Sequence, residues 1–327
     1  MKVAAREMTG LEDAALLAVV AVGSALGASA LPRASWPRRS PAAAILLWQA
    51  LGLAAGLAAV GTLVGLAMPA SHIGPVRSAL RVGGLLWAGD LFRLTSEFGF
   101  GAAGGVPMIM VALRLAFLAA GLALLASLCW VLVAASVAAR QARRRQRALL
   151  TLLAHGDPKV PGALVVDYPS AAAYCLPGLR SQIVVSVGTL QLLGHGELAA
   201  VLAHERAHLR ERHDLVLLPF TALRRALPRS ATCTGAHRAV ALLIEMLADD
   251  RALRARPARE LVSALVRFGT AGACPAPAGA LAAAEGEVAA RVTRLLQPVR
   301  PLPAAAVLAI CLSAALLVAA PITLLII

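Results

Sequence analysis

Four long stretches of the chain contain no charged residue. They cover residues 14–31, 42–68, 115–139 and 302–327. A helix needs roughly 20 apolar residues to cross a bilayer, and a chain in hydrocarbon must pair its backbone groups internally, which favours helices. The pattern therefore predicts four transmembrane helices.

The segment between the third and fourth stretches has a different pattern. Short apolar runs separated by turn residues fill 161–186 and predict strands, whereas apolar positions recur at helical spacing from residue 197 onward. We expect three transmembrane helices and an outer loop at 69–105 within residues 1–139. An α+β domain at 140–301 and a fourth transmembrane helix at 302–327 follow.

Composition agrees with a membrane protein. Of the 327 residues, 59% are hydrophobic and 15% are charged. A soluble domain carries about 25% charged residues, so an ordinary soluble protein is excluded. The formal charge of +14 lies mostly in 140–301, where 22 Lys and Arg face 12 Asp and Glu. Topology and anionic lipid headgroups explain this surplus, and direct nucleic-acid binding is not expected.

The arginines next to the predicted helices indicate orientation. Three lie in the loop at 32–41, and five occupy 140–147, directly after the third helix. Such clusters mark the cytoplasmic side, so we expect 140–301 in the cytoplasm and both termini outside. The high Ala and Arg content without any Asn favours a GC-rich bacterial source, and hence a bacterial cell membrane. The alternative is a signal peptide cleaved after Ala28-Ser29-Ala30, which would place the arginine-rich first loop outside.

The second apolar stretch contains Gly52-x-x-x-Gly56 and Gly61-x-x-x-Gly65. Small residues at this spacing let helices approach closely. Packing against the other three helices is one explanation, and a contact in a homo-oligomer is the other.

The five cysteines form no C-x-x-C pair and no zinc-knuckle spacing. They are Cys129, Cys175, Cys233, Cys274 and Cys311. We expect free thiols and no disulfide framework.

The strongest chemical motif is His204-Glu205-Arg206-Ala207-His208 on a predicted helix. Two histidines four residues apart project from one helix face and can bind one zinc ion, which leaves a position for water. Glu205 beside them is placed to take a proton as that water attacks a peptide carbonyl. The motif alone also occurs in ordinary charged helices, so it needs a third ligand.

Glu245 is the candidate third ligand, in a second helix that carries Asp249 four residues later. Glu245 would bind zinc, and Asp249 on the same face would accept the N–H of a ligating imidazole. The alternative is a plain acidic helix face. His213, five residues after His208, is expected on another face and solvated.

These residues resemble the zinc site of the BlaR/MecR-type membrane metallopeptidases. Residues 197–214 resemble their zinc helix, and 291–296 resemble the R-x-x-x-L-L element that ends their peptidase domain. The resemblance implies an α-helical membrane protein with four transmembrane helices and a cytoplasmic α+β gluzincin-type domain.

The resemblance also implies functional residues and a partner. Zinc would be bound by His204, His208 and Glu245, with Glu205 as the base. The substrate would be a cytoplasmic winged-helix repressor of the BlaI type, cut in transmembrane signalling. Residues 183–186 (Ile183, Val184, Val185 and Ser186) would form the edge onto which a substrate strand is added.

One departure from the family limits this expectation. Its β-lactam sensors carry an outer penicillin-binding domain with Ser-x-x-Lys, and neither Lys2 nor Lys159 has a serine three residues before it. We therefore expect no direct acylation by an antibiotic. Two alternatives stay open, an HtpX-like quality-control metallopeptidase and a non-catalytic membrane receptor with a structural zinc site.

Overall fold

The computed structural model describes residues 2–68, 107–157, 160–178, 181–271, 278–297 and 300–326, and a few positions between 80 and 93. In chain order the main helices are α1 (Lys2–Ala30), α2 (Pro41–Ala67), α3 (Met108–Leu153), α4 (Val187–Leu192), α5 (His195–Arg210), α6 (His213–Ala226), α7 (Ala231–Ala252), α8 (Ala258–Thr270), α9 (Ala278–Leu296) and α10 (Ala304–Ile326). The strands are β1 (Ala154–Gly156), β2 (Ala163–Val166), β3 (Ala173–Leu176) and β4 (Gln182–Ser186).

The chain divides into two compact units. The first consists of Met1–Ala34, Leu46–Val131 and Pro303–Ile327, and the second of Ser35–Ile45 and Leu132–Leu302. Four helices, α1, α2, α3 and α10, are long and apolar enough to cross a membrane. They coincide with the four predicted stretches, whereas most of the predicted outer loop at 69–105 lies outside the described residues.

Glycines in the first unit allow close helix packing. A Cβ atom on Gly61 would lie 3.0 Å from the Leu17 side chain and 2.8 Å from that of Leu325. A Cβ atom on Gly52 would have open space around it. Packing within the chain therefore accounts for Gly61, and an oligomer contact stays a prediction.

Helix α3 continues well beyond the apolar stretch 115–139. Arginine is a good helix former, so the basic run ends the apolar surface without ending the helix. Within the second unit Arg143 binds Asp214 of α6 at 2.6 Å, and Arg147 Nη2 donates to the carbonyl oxygen of Pro177 at 3.0 Å. Two of the five arginines assigned to topology thus also hold the domain together.

The four strands form one sheet in the order β1-β2-β4-β3. Strand β4 pairs in parallel with β2 and antiparallel with β3. The prediction that residues 183–186 (Ile183, Val184, Val185 and Ser186) form an edge is therefore wrong, because both sides of this strand are already paired. The edge strand beside the motif helix α5 is β3. The three apolar residues Ile183, Val184 and Val185 are instead typical of a strand that lies inside a sheet and is buried on both faces.

Ser186 anchors the segment that leads into β3. Its hydroxyl accepts from the backbone N–H of Thr189 and caps α4, accepts from Ala172 N at 2.9 Å, and donates to Ser170 O at 2.8 Å. The side chain therefore fixes where the edge strand begins. On the far side of the sheet, Ile183 and Val185 join Val201 and Leu202 of α5 in a hydrophobic core.

Candidate metal centre

Helix α5 positions the first two site residues. Its first turn is held by Glu197, whose carboxylate accepts from Gly194 N at 2.7 Å and contacts Ser263 of α8. The core of the unit holds its apolar face, and His204 and His208 project together from the adjoining face. The predicted helix and its orientation are confirmed.

Three ligand atoms converge on one point. Nε2 of His204 and Nε2 of His208 are 3.0 Å apart, and the Glu245 carboxylate of α7 lies 3.3 Å from the first and 3.5 Å from the second. Tetrahedral zinc with bonds near 2.05 Å would hold its donors about 3.3 Å apart. The 3.3 Å distance is to Glu245 Oε2 and the 3.5 Å distance to Glu245 Oε1, so either carboxylate oxygen is close to a donor position. The three residues therefore fit a zinc ion, and the predicted ligand set is brought together.

Asp249 lies directly behind His204. Its Oδ1 is 2.9 Å from His204 Nδ1, within hydrogen-bonding distance although the N–H direction is off the ideal line. This contact keeps Nδ1 protonated and leaves Nε2 for a metal. Asp249 is only 1% exposed, so its charge needs a partner in the protein.

Arg291 of α9 is that partner. Its guanidinium binds both Asp249 oxygens, at 2.8 and 2.7 Å, and also lies 2.9 Å from Glu245 Oε2. One turn later Arg294 binds both oxygens of Asp250 at 2.7 and 2.9 Å and donates to the carbonyl oxygen of Arg38. The element at 291–296, which resembles a family motif, thus supports the third ligand.

His213 is buried, at 4% exposure, and not solvated as predicted. Arg212 adopts a left-handed conformation with φ 53°, which ends α5 and starts α6 in a new direction. The His213 ring consequently returns to the site, with Nδ1 at 3.0 Å from Nδ1 of His208 and Nε2 at 3.4 Å from Glu211. It therefore holds the second zinc ligand from behind, as Asp249 holds the first.

Glu205 lies between the metal ligands and the edge strand. Burial raises the pKa of its carboxyl group above the ordinary value, which favours a base that works near neutral pH. The Cys175 thiol of β3 donates a hydrogen bond to it, and burial with this negative charge raises the pKa of Cys175 to about 12. Sequence reasoning gave Cys175 no role, because the contact depends on strand order.

The electrostatics of the centre suit a cation. Burial alone would lower the pKa of His204, but Asp249 and Glu245 outweigh it and raise that pKa to about 9. Burial would raise the pKa of Glu245, but His204 and Arg291 bring it to about 2. Burial lowers the pKa of His208 to about 4, so its ring is neutral and free to ligate. The carboxylates of Asp249 and Glu245 therefore favour a positive charge at His204.

Residues 139–233 match the model of Peptidase family M48. The match covers 95 of the 327 residues, all of them in the second unit. The match contains α5 and α6, with the motif and His213, and ends before Glu245. No curated protein and no solved structure matches the chain. The domain match and the three-residue cluster support a zinc metallopeptidase, while the BlaR/MecR type stays a prediction.

Proposed function

We propose that this protein is a membrane-embedded zinc endopeptidase that hydrolyses peptide bonds in a cytoplasmic protein. The observation that carries the proposal is the convergence of His204, His208 and Glu245 beside the buried carboxylate of Glu205. Zinc held there would supply a Lewis acid and lower the pKa of water toward about 7. Glu205 would accept the proton of the attacking water and deliver it to the leaving amine.

The membrane placement follows from the four apolar helices and the arginine clusters. We expect each helix to span the bilayer, the peptidase domain to face the cytoplasm and both termini to lie outside. This arrangement would give the site access to cytoplasmic proteins.

The substrate is proposed to bind as an added strand on β3. That strand is the sheet edge beside α5, and its Cys175 contacts Glu205. A peptide extended along it would therefore pass the base and the metal ligands. Recognition would rest on main-chain hydrogen bonds, which tolerate many side chains.

The favoured substrate is a winged-helix repressor whose cleavage changes gene expression, as the resemblance at 197–214 and 291–296 implies. The alternative is quality control of damaged membrane proteins in the HtpX-like manner. The pattern Glu245-x-x-Ala248-Asp249 supports both equally, because both need the ligand and the carboxylate behind it. A receptor with a merely structural zinc site has no use for Glu205.

The test uses the full chain in lipid nanodiscs, loaded with zinc. Glu205→Gln should keep one zinc per chain and cut proteins about 10²–10⁴-fold more slowly, because general base catalysis contributes that much. Glu12→Gln, which makes the same change on an exposed surface of α1, should leave the rate unchanged. An unaltered rate in Glu205→Gln would refute the peptidase mechanism.

The choice of substrate decides between the two roles. Purified full chain is offered a folded winged-helix repressor of the BlaI type from the same genome and, separately, unfolded casein. Cleavage of the repressor at one bond with little cleavage of casein supports signalling. Rapid cleavage of casein at many bonds, with the repressor intact, supports quality control.

A further inference from the structure

A cleft lies on the back of the motif helix α5, away from the three metal-ligand residues. It has a volume of about 470 Å³ and is lined by Ala203, Arg206, Ala207 and Arg210 of α5 together with Glu211, Arg251, Arg254 and Ala255. The four α5 residues follow a spacing of three and four, so they share one helix face. The volume falls in the range of about 300–1,000 Å³ typical of small-molecule sites.

The lining is strongly cationic. Four arginines face a single carboxylate, which leaves a formal surplus of three positive charges. Glu211 is already bound to Arg251. Within the described part of the chain, Arg206, Arg210 and Arg254 make no ion pair, and all three are exposed. Ala203 and Ala207 leave space between the arginines, because each of these alanines has only a methyl side chain.

We propose that this cleft binds a phosphate group carried by a small molecule or by a lipid headgroup. Guanidinium groups form paired hydrogen bonds to phosphate oxygens and keep their charge at any physiological pH. Three unpaired guanidinium groups around one cleft suit a ligand with several negative charges better than a ligand with one carboxylate group. The volume leaves room for a molecule larger than phosphate itself.

The cleft is separate from the peptidase chemistry, but Glu211 connects them. Its carboxylate contacts Arg251 on the cleft side and lies 3.4 Å from His213, which holds His208. Substitution of Glu211 or Arg251 would therefore disturb the metal centre as well. The test consequently changes only the three unpaired arginines.

The experiment titrates inorganic pyrophosphate into the full chain in phosphatidylcholine nanodiscs at physiological salt, by calorimetry. The triple variant Arg206→Gln/Arg210→Gln/Arg254→Gln should bind it at least about 100-fold more weakly, at roughly tenfold for each lost charge-assisted contact. The matched control removes three exposed arginines elsewhere, as Arg224→Gln/Arg225→Gln/Arg229→Gln, and should bind normally. One zinc per chain and an unchanged melting temperature in both variants would show that the fold is intact.

Nanodiscs that contain phosphatidylglycerol distinguish the two sources of phosphate. A weaker apparent affinity for pyrophosphate in these discs assigns the cleft to a lipid headgroup, and an unchanged affinity assigns it to a soluble phosphate compound. The proposal is overturned if pyrophosphate does not bind the intact chain. It is also overturned if both triple variants lose affinity equally, or if succinate binds as tightly as pyrophosphate.

Discussion

Removal of Arg291 should destabilise the zinc-free protein more than any comparable change on the same helix. Its guanidinium makes three contacts with Asp249 and Glu245, and Arg291 and Asp249 are 9% and 1% exposed. Taking one partner from a buried ion pair leaves an uncompensated charge and costs about 3–5 kcal/mol. Arg291→Met should lower the free energy of unfolding of the zinc-free chain by that amount.

Arg294→Met is the matched control, since the same residue type lies one turn away. Its partner Asp250 is 35% exposed at the side chain, so water can replace the lost contact and we expect a loss of about 1 kcal/mol. Unfolding is followed in denaturant with EDTA, in detergent micelles. Equal losses in the two variants would refute the assignment of a buried charge network.

A double-mutant cycle isolates the pairwise energy. Asp249→Asn together with Arg291→Met removes both charges, so the double variant should be more stable than the sum of the single losses predicts, by at least about 1 kcal/mol. Additive losses would mean that the two side chains do not act as a pair, whatever their distance.

Three further predictions concern the metal and the base. His213→Ala should weaken zinc binding about 10–100-fold, because the ring that holds His208 is lost. Zinc affinity is measured by competition with a chelator, and an unchanged affinity would contradict the role of His213. Cys175 should react with maleimide at pH 8 far more slowly than Cys233, and Glu205→Gln should accelerate it, as measured by mass spectrometry. Zinc affinity should rise about tenfold per pH unit from pH 6 to 8 and level off above pH 9, because zinc must displace one proton from His204. A slope of zero or two in a plot of the logarithm of zinc affinity against pH would contradict the release of one proton.

The features predicted correctly from sequence depend on local patterns. The four long helices follow from uninterrupted apolar runs, and His204 and His208 share a face because helical geometry fixes their spacing. Glu245 and Asp249 were found in the same way, once the chemistry of zinc required a third ligand. The helices and the spacing within each helix follow from residues close together in the chain, whereas the pairing of Glu245 with the two histidines rests on the chemistry of zinc.

The features missed depend on how distant segments meet. Strand order places β3, and not β4, at the edge, and strand order depends on pairing between segments that are apart in the sequence. The prediction for His213 is wrong because it holds only for a continuous helix, whereas the left-handed Arg212 turns the chain there. A non-glycine residue rarely adopts that conformation, so the sequence carries no strong signal for it.

The contacts made by the short segment between α1 and α2 constrain the protein in an unusual way. Arg294 donates to the carbonyl oxygen of Arg38, and Arg39 donates to that of Arg300. Both acceptors belong to the main chain, which every amino acid supplies. Side-chain replacement at position 38 should thus leave its contact in place, whereas insertion or deletion of one residue in the segment would misalign both. The length of the segment must therefore be conserved for both contacts, whereas the residue type matters at position 39 and not at position 38.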